Sequence, residues 1–208
     1  EAMRLIQAHA RGEITAEAVI QSTELGTSEP EPEAAARRLT ATGAVAVIPL
    51  QGVITPKGSF SFFGPSSSGL GQFRQSLREA VNSDEISAIV LNVDSPGGRV
   101  DLVPETAADV RAAREVKPVI AVANTMIGSA AYWIASQATE LVVSPSGDVG
   151  SIGVFIVHEE FSKWDERVGI KSTLIKAGRY KAEGNPYEPL SEEAEAHFQE
   201  IVDETYGE

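Results

Sequence analysis

The chain contains no cysteine. That absence removes disulfides, thiol nucleophiles and cysteine-ligated zinc together. Positive charge is in deficit: Lys and Arg number 17 against 30 Asp and Glu, for a formal charge of -13 and a pI near 4.7. Nucleic acid or an anionic membrane would require a basic face, so neither is expected as a partner. No apolar run reaches the roughly 18 residues that a membrane span needs, and no basic segment followed by an apolar core opens the chain. A membrane span and a signal peptide are therefore not expected. There is no internal repeat. The first residue is Glu1 rather than Met, and the last helical pattern still runs at Glu208, so the chain reads as part of a longer one.

What is present is ordinary for a globular protein. The chain has 208 residues, 42% of them hydrophobic and 23% charged, enough for one well-buried domain. Residues 1–43 are rich in alanine and charge and read as a helical arm, with an acidic hinge at Ser28-Glu29-Pro30-Glu31-Pro32-Glu33 where prolines break helical bonding. This arm is a helical extension or an oligomer or substrate contact. From residue 44 the texture changes to short apolar strands alternating with amphipathic helices. Ala44–Ile54 reads as containing a buried strand, Pro56–Gly69 as a loop, and Leu70–Val81 as a helix with Leu70, Phe73, Leu77 and Val81 at helical spacing. Strands follow at Ile86–Val93, Val119–Ala123, Glu140–Val143 and Ile152–Val157, and an extended stretch at Ser172–Ile175. Helices are expected at Val103–Ala113, Phe161–Val168 and Ser191–Tyr206. Such alternation predicts an α/β fold with a mainly parallel sheet and crossover helices.

Three stretches carry chemistry. In Gly128-Ser129-Ala130-Ala131-Tyr132-Trp133-Ile134-Ala135, the hydroxyl of Ser129 falls where a buried strand turns into a helix. Free N–H groups in the first helical turn favour a developing negative charge there. Ser129 is a candidate nucleophile, or simply an N-cap. Asp94-Ser95-Pro96-Gly97-Gly98 follows a strand at the carboxyl end of a parallel sheet, where ligands bind, and paired glycines let backbone N–H groups come close. This is either an oxyanion hole or a tight turn, and the Asp94 carboxylate suits turn stabilisation. The third stretch is Lys176-Ala177-Gly178-Arg179-Tyr180-Lys181. An amine activates a serine only when desolvation or neighbouring charge favours its neutral form. A loop lysine is normally solvated, so these residues alone do not single out Lys181.

Together with Val149-Gly150-Ser151-Ile152-Gly153-Val154, these stretches resemble peptidase family S49, the signal peptide peptidase A type, and particularly its phage and prophage capsid-protease branch. The resemblance runs in the family's order from about Val45 to Ile201. It implies a ClpP/crotonase-like fold in a peptidase domain at 44–208, and a serine–lysine dyad with Ser129 as nucleophile and Lys181 as general base. Ser151 would orient the lysine, while Gly97, Gly98 and the Ala130 N–H would supply the oxyanion donors. It further implies a serine endopeptidase without metal or cofactor, a protein or peptide substrate such as scaffold or capsid protein, a ring- or dome-shaped homo-oligomer, and a place in the host cytoplasm or procapsid. Ala130-Ala131 stand where many cellular members carry paired glycines, which narrows the space beside the serine.

Other readings stay open. A Ser129–His158–acid triad keeps the fold and changes the base, although His158 reads as lying in a solvated turn; His9 and His197 read as surface residues. An acyl-coenzyme A enzyme of the crotonase type would use the paired N–H groups but has no need of Ser129 and Lys181. A cellular peptidase that degrades cleaved signal peptides, and a non-catalytic capsid scaffolding or assembly protein, are the remaining alternatives.

Overall fold

The computed structural model describes residues 43–61 and 64–208. The helical arm and acidic hinge expected within 1–43 lie almost wholly outside the described residues. The chain forms two compact units that meet between Ile152 and Gly153.

The first unit is built on a five-stranded sheet, parallel at every pairing. Its strands are β1 (Ala44–Gln51), β5 (Ile86–Ser95), β6 (Val119–Gly128) and β7 (Glu140–Val143) in that order, with β8 (Asp148–Gly150) alongside the far end of β6. The crossovers are helices α1 (Leu70–Asn82), α2 (Val103–Arg114) and α3 (Ala130–Ala135), of which α2 touches both others. The sheet's alternation is visible in β5, where Ile89, Leu91, Val93 and Ser95 are fully buried. In β6, which lies between β5 and β7, Val119, Ala121, Val122, Ala123, Ile127 and Gly128 are buried, while Asn124, Thr125 and Met126 are exposed.

Helix α1 buries Leu70, Phe73, Leu77 and Ala80, one stripe at helical spacing. Residue 80 takes the last place in the stripe, and Val81 packs at its margin. Fully burying a leucine such as Leu77 stabilises by about 1.5–3 kcal/mol. Its last turn holds no basic residue. Lys117 supplies the missing charge from the turn before β6, donating from Nζ to the carbonyls of Ala80 (2.9 Å) and Ser83 (2.6 Å). Arg74 on α1 donates from Nε to Asp109 Oδ2 on α2 at 2.7 Å, fixing the two helices side by side.

One sequence expectation is refined and others change. The strand expected within Ala44–Ile54 is β1, and it ends before Gly52, whose φ of 68° turns the chain and whose N–H donates to the Asp94 carbonyl (2.9 Å). Its continuation, β2 (Val53–Thr55), leaves the main sheet. The segment expected as a loop at 56–69 contains β3 (Ser59–Ser61) and β4 (Gly64–Gly69), which form a second sheet in the order β2-β4-β3. Serine and glycine have little strand preference, so these strands exist because an edge of β2 is there to pair with.

The expected strand at Ile152–Val157 is absent; the strand here is β8, ending at Gly150. Gly150, Ser151 and Gly153 all have positive φ (136°, 55° and 151°), which carries the chain out of the extended ladder. The stretch Ser172–Ile175, expected to be extended, joins no strand ladder, and its Ser172, Thr173 and Ile175 are exposed.

The second unit, Gly153–Glu208, holds α4 (Ser162–Arg167) and α5 (Glu192–Gly207). Ser191 caps α5, its Oγ accepting the Ala194 N–H at 3.1 Å, and Glu192, Glu193 and Glu195 complement the positive end of the helix.

Candidate active site

Ser129 occupies the junction between β6 and α3 with φ 50° and ψ -123°. A side chain is seldom found at such angles, and the strain costs about 1–3 kcal/mol. Its hydroxyl makes no capping bond, which argues against the N-cap reading. The strain is sustained by the backbone on either side: Ser129 N–H donates to the Gly150 carbonyl at 2.8 Å and its carbonyl accepts from Trp133 N–H at 3.0 Å. Behind it, Ala130, Ala131, Ile134 and Ala135 anchor the short helix in the core.

The Ser95–Gly98 turn lies directly against this serine. Gly97, at φ 97°, is so close that a Cβ on it would sit 2.7 Å from Ser129 Cβ and 3.0 Å from Ala130 N. A Cβ on Gly128 would likewise come within 3.0 Å of the Pro96 carbonyl oxygen. Gly98 faces β2. Ile54 N–H donates to the Gly97 carbonyl (2.8 Å) and Arg99 N–H to the Ile54 carbonyl (3.0 Å), so Ile54 and Gly98 form a parallel bridge. Both glycines of the pair are therefore required by contact, the first by the serine and the second by a strand.

Gly97 N–H donates to Ser95 Oγ at 3.1 Å. Of the three backbone donors expected for an oxyanion, this one is already engaged. Among the described residues the N–H groups of Gly98 and Ala130 have no hydrogen-bond partner.

Ser151 is reached by register. Gly128 pairs with Gly150 at the end of β6 and β8, so the next residues on the two strands are Ser129 and Ser151. Ser151 has φ 55°, and it is exposed. Within the first unit the fold thus brings together Ser129, Gly97, Gly98, Ala130 and Ser151.

Lys181 belongs to the second unit, in the turn between Gly178 (φ 98°) and Gly184 (φ 70°). The residues before it are tied to α5. Arg179 Nη2 donates to both Glu193 oxygens (2.9 and 3.1 Å), Tyr180 Oη donates to Glu193 Oε1 (3.0 Å), and the Arg179 guanidinium lies 5.1 Å from the Tyr180 ring centroid. The Glu193 carboxylate holds the Tyr180 phenol above its ordinary pKa, because it accepts the proton that ionisation would remove. After Lys181, Gly184 packs against Phe198, leaving no room for a side chain. Lys181 itself is exposed.

His158, the rival base, is also in the second unit. It is half-buried rather than solvated, and its Nε2 lies 3.1 Å from the Asn185 carbonyl. A carbonyl only accepts, so that nitrogen carries a proton. His197 is exposed, as expected. No cluster of His, Asp and Glu able to hold a metal occurs among the described residues.

Two contributors were not legible as site residues. Ser95 precedes its glycine by two positions, the spacing of a serine turn, and that signal was available. Ile54 had none, since its role comes from β2 crossing a turn more than forty positions away.

Residues 111–208, which include Ser129, Ser151 and Lys181, match the sequence model of peptidase family S49. The chain is 29% identical over 192 residues to the capsid assembly protease C of Escherichia phage lambda, covering 92% of this chain and 44% of that protein. It is 29% identical over 170 residues to the head-tail preconnector protein GP5 of Enterobacteria phage P21, covering 81% of this chain and 34% of that one. Protease 4 of Salmonella typhi is 36% identical over 109 residues, 52% of this chain and 18% of that protein. The chain thus spans less than half the length of each of these relatives. The chain's similarity to peptidase family S49 thus rests on the match of its residues 111–208 to that family's model.

Proposed function

We propose that the chain is a serine endopeptidase acting through Ser129 and Lys181. The observation that carries this reading is the strained backbone of Ser129, held at a strand-to-helix junction with a glycine pair against it. Strain of that kind persists where surrounding structure over-determines it, and it concentrates at reactive positions. In the reaction, the neutral Lys181 amine takes the Ser129 hydroxyl proton and the oxygen attacks the peptide carbonyl. The oxyanion is received by two backbone donors, Gly98 N–H and Ala130 N–H, the pair left without partners; Gly97 serves the geometry instead. Lys181 returns its proton to the leaving amine, and water releases the acyl group by the same route. Ser151, next in register to Ser129, orients the amine.

The similarity to two phage proteins extends over 92% and 81% of this chain at 29% identity, against 52% for the bacterial protease 4 and 76%, at 25% identity, for the putative signal peptide peptidase SppA of Enterococcus faecium. That difference in extent favours scaffold or capsid protein as substrate, in a homo-oligomeric protease working in the procapsid. Degradation of cleaved signal peptides is the alternative.

Wild type, Ser129→Ala, Lys181→Ala and His158→Ala are incubated with an unstructured protein from about pH 6 to about pH 10, and the products read by mass spectrometry. Cleavage is expected to vanish in the first two variants and to persist in His158→Ala. Labelling by a fluorophosphonate, traced to Ser129, separates nucleophile from base. Full activity in Lys181→Ala overturns the dyad. Incubation with procapsid scaffold and capsid proteins, beside synthetic signal peptides, separates the two substrate classes.

A further inference from the structure

We infer that Ser95 is a positioning residue for the oxyanion site, a role that rests on the peptidase reading above. Three polar side chains are buried among the described residues: Ser95, Thr106 and Asp165. Thr106 Oγ1 donates to the Leu102 carbonyl within its own helix (2.5 Å), and Asp165 lies on α4 in the second unit. Ser95 belongs to the turn whose Gly97 lies against the candidate nucleophile. It ends β5 opposite Ile127, is 0% exposed, and accepts the Gly97 N–H at Oγ.

Gly97 is a hinge with few restraints of its own, since a glycine at φ 97° has a wide choice of neighbouring angles. Two bonds remove that choice. The Ser95 hydroxyl holds the peptide plane before Gly97 through its N–H, and Ile54 N–H holds the plane after it through its carbonyl. The peptide bonds are all trans among the described residues. In a trans peptide the N–H points opposite to the C=O, so tying the Gly97 carbonyl to β2 directs Gly98 N–H away from β2. Without the Ser95 oxygen, Gly97 N–H is buried and unpaired. Rotation of the 96–97 plane relieves that and shifts Gly97 against Ser129 Cβ; where the shift strains the Ile54-to-Gly97 bond, the 97–98 plane follows and Gly98 N–H is re-aimed. Ser95 touches neither the nucleophile nor the substrate in this account; it acts through Gly97.

Losing an oxyanion donor outright costs about 100- to 1000-fold in kcat. Misdirecting one by loss of its support is expected to cost roughly tenfold or somewhat more, in kcat and not in KM, because the interaction exists only in the transition state. Ser95→Ala, Ser95→Cys and Ser95→Thr are compared with wild type. Cysteine keeps the shape but accepts hydrogen bonds weakly, whereas threonine keeps the oxygen. The expected result is a lowered kcat at unchanged KM in the Ala and Cys variants and recovery in Ser95→Thr. Hydrogen exchange at the Gly97 amide, followed by NMR, is expected to accelerate in Ala and Cys but not in Thr. Because a larger residue at a buried site can distort it, this exchange pattern is measured together with the melting temperature.

Activity equal to wild type in Ser95→Ala overturns the role, as does a Ser95→Thr variant as slow as Ser95→Cys with the same melting temperature as wild type. Unchanged Gly97 exchange in Ser95→Ala overturns it as well. A wild type that cleaves nothing overturns the peptidase reading itself, which is a different failure from an active wild type that is indifferent to Ser95.

Discussion

Adding one methyl group at Gly98 tests the site's construction more sharply than removing any side chain. A Cβ there would lie 2.1 Å from the Ile54 carbonyl oxygen and 2.6 Å from its nitrogen, where ordinary contact begins near 3.4 Å. The obstruction is backbone on both counts, so no side chain can swing aside. Gly98 is not among the glycines with positive φ, and the conflict is purely steric. The variant must separate the turn from β2 by over an ångström, breaking the Ile54-to-Gly97 and Arg99-to-Ile54 bonds of 2.8 and 3.0 Å. At about 0.5–1.5 kcal/mol each, the two together are worth about 1–3 kcal/mol of stability, or a melting temperature several degrees lower. Catalysis should suffer out of proportion, because the displaced residue carries a proposed oxyanion donor: about 100-fold or more in kcat. Urea unfolding followed by circular dichroism gives the first quantity, and initial rates of peptide cleavage give the second. A folded Gly98→Ala protein with kcat within a few-fold of wild type would refute the reasoning. So would loss of stability and activity in the same modest proportion, since that would leave Gly98 with a structural role alone.

Further outcomes follow from single features. Ser129→Gly is expected to abolish cleavage while stabilising the fold by about 1 kcal/mol, because glycine relieves the φ 50°, ψ -123° strain; a destabilised variant in thermal unfolding would remove the strain argument. Lys117→Met should lower stability by about 1–3 kcal/mol, since its ammonium donates to two carbonyls at the end of α1, and an unchanged urea midpoint would contradict this. For Tyr180, the folded phenol is raised by Glu193, so the stabilising contact is present below the unfolded tyrosine pKa and is lost as pH rises through the folded one. Ultraviolet titration of wild type against Tyr180→Phe should therefore show one phenol titrating late, and Glu193→Gln should bring it down toward the ordinary range; no change in Glu193→Gln would exclude that contact in solution.

Local pattern was sufficient wherever a segment's own residues decide its state. The α1 stripe of Leu70, Phe73 and Leu77, the β7 strand Glu140–Val143 and the α5 helix all stand as expected, because helical periodicity and a short apolar run act over a few residues. The resemblance to family S49 was legible for the same reason: the motifs that carry it are short, and residues 111–208 match that family's model. Elements that depend on a partner strand behaved differently. Strands β3 and β4 arise from a serine-rich segment with little strand preference of its own, and the apolar Ile152–Val157 stretch forms no strand because positive φ at Gly150 and Ser151 before it and at Gly153 within it breaks the extended run.

The candidates for the proposed chemistry were thus named from the sequence by residue type and place: a serine after a buried strand, a glycine pair after another, a lysine beyond a third stretch. The division of labour among them was decided only in three dimensions. Two adjacent glycines look equivalent in the chain, yet Gly97 has its N–H taken by Ser95 and its Cα against Ser129, while Gly98 leans on Ile54 and keeps its N–H without a partner. A backbone donor is useful to an oxyanion only if nothing else in the fold has claimed it. Whether it has been claimed depends on contacts between β5, β6 and β2, which are distant in sequence and meet only when the sheet is assembled.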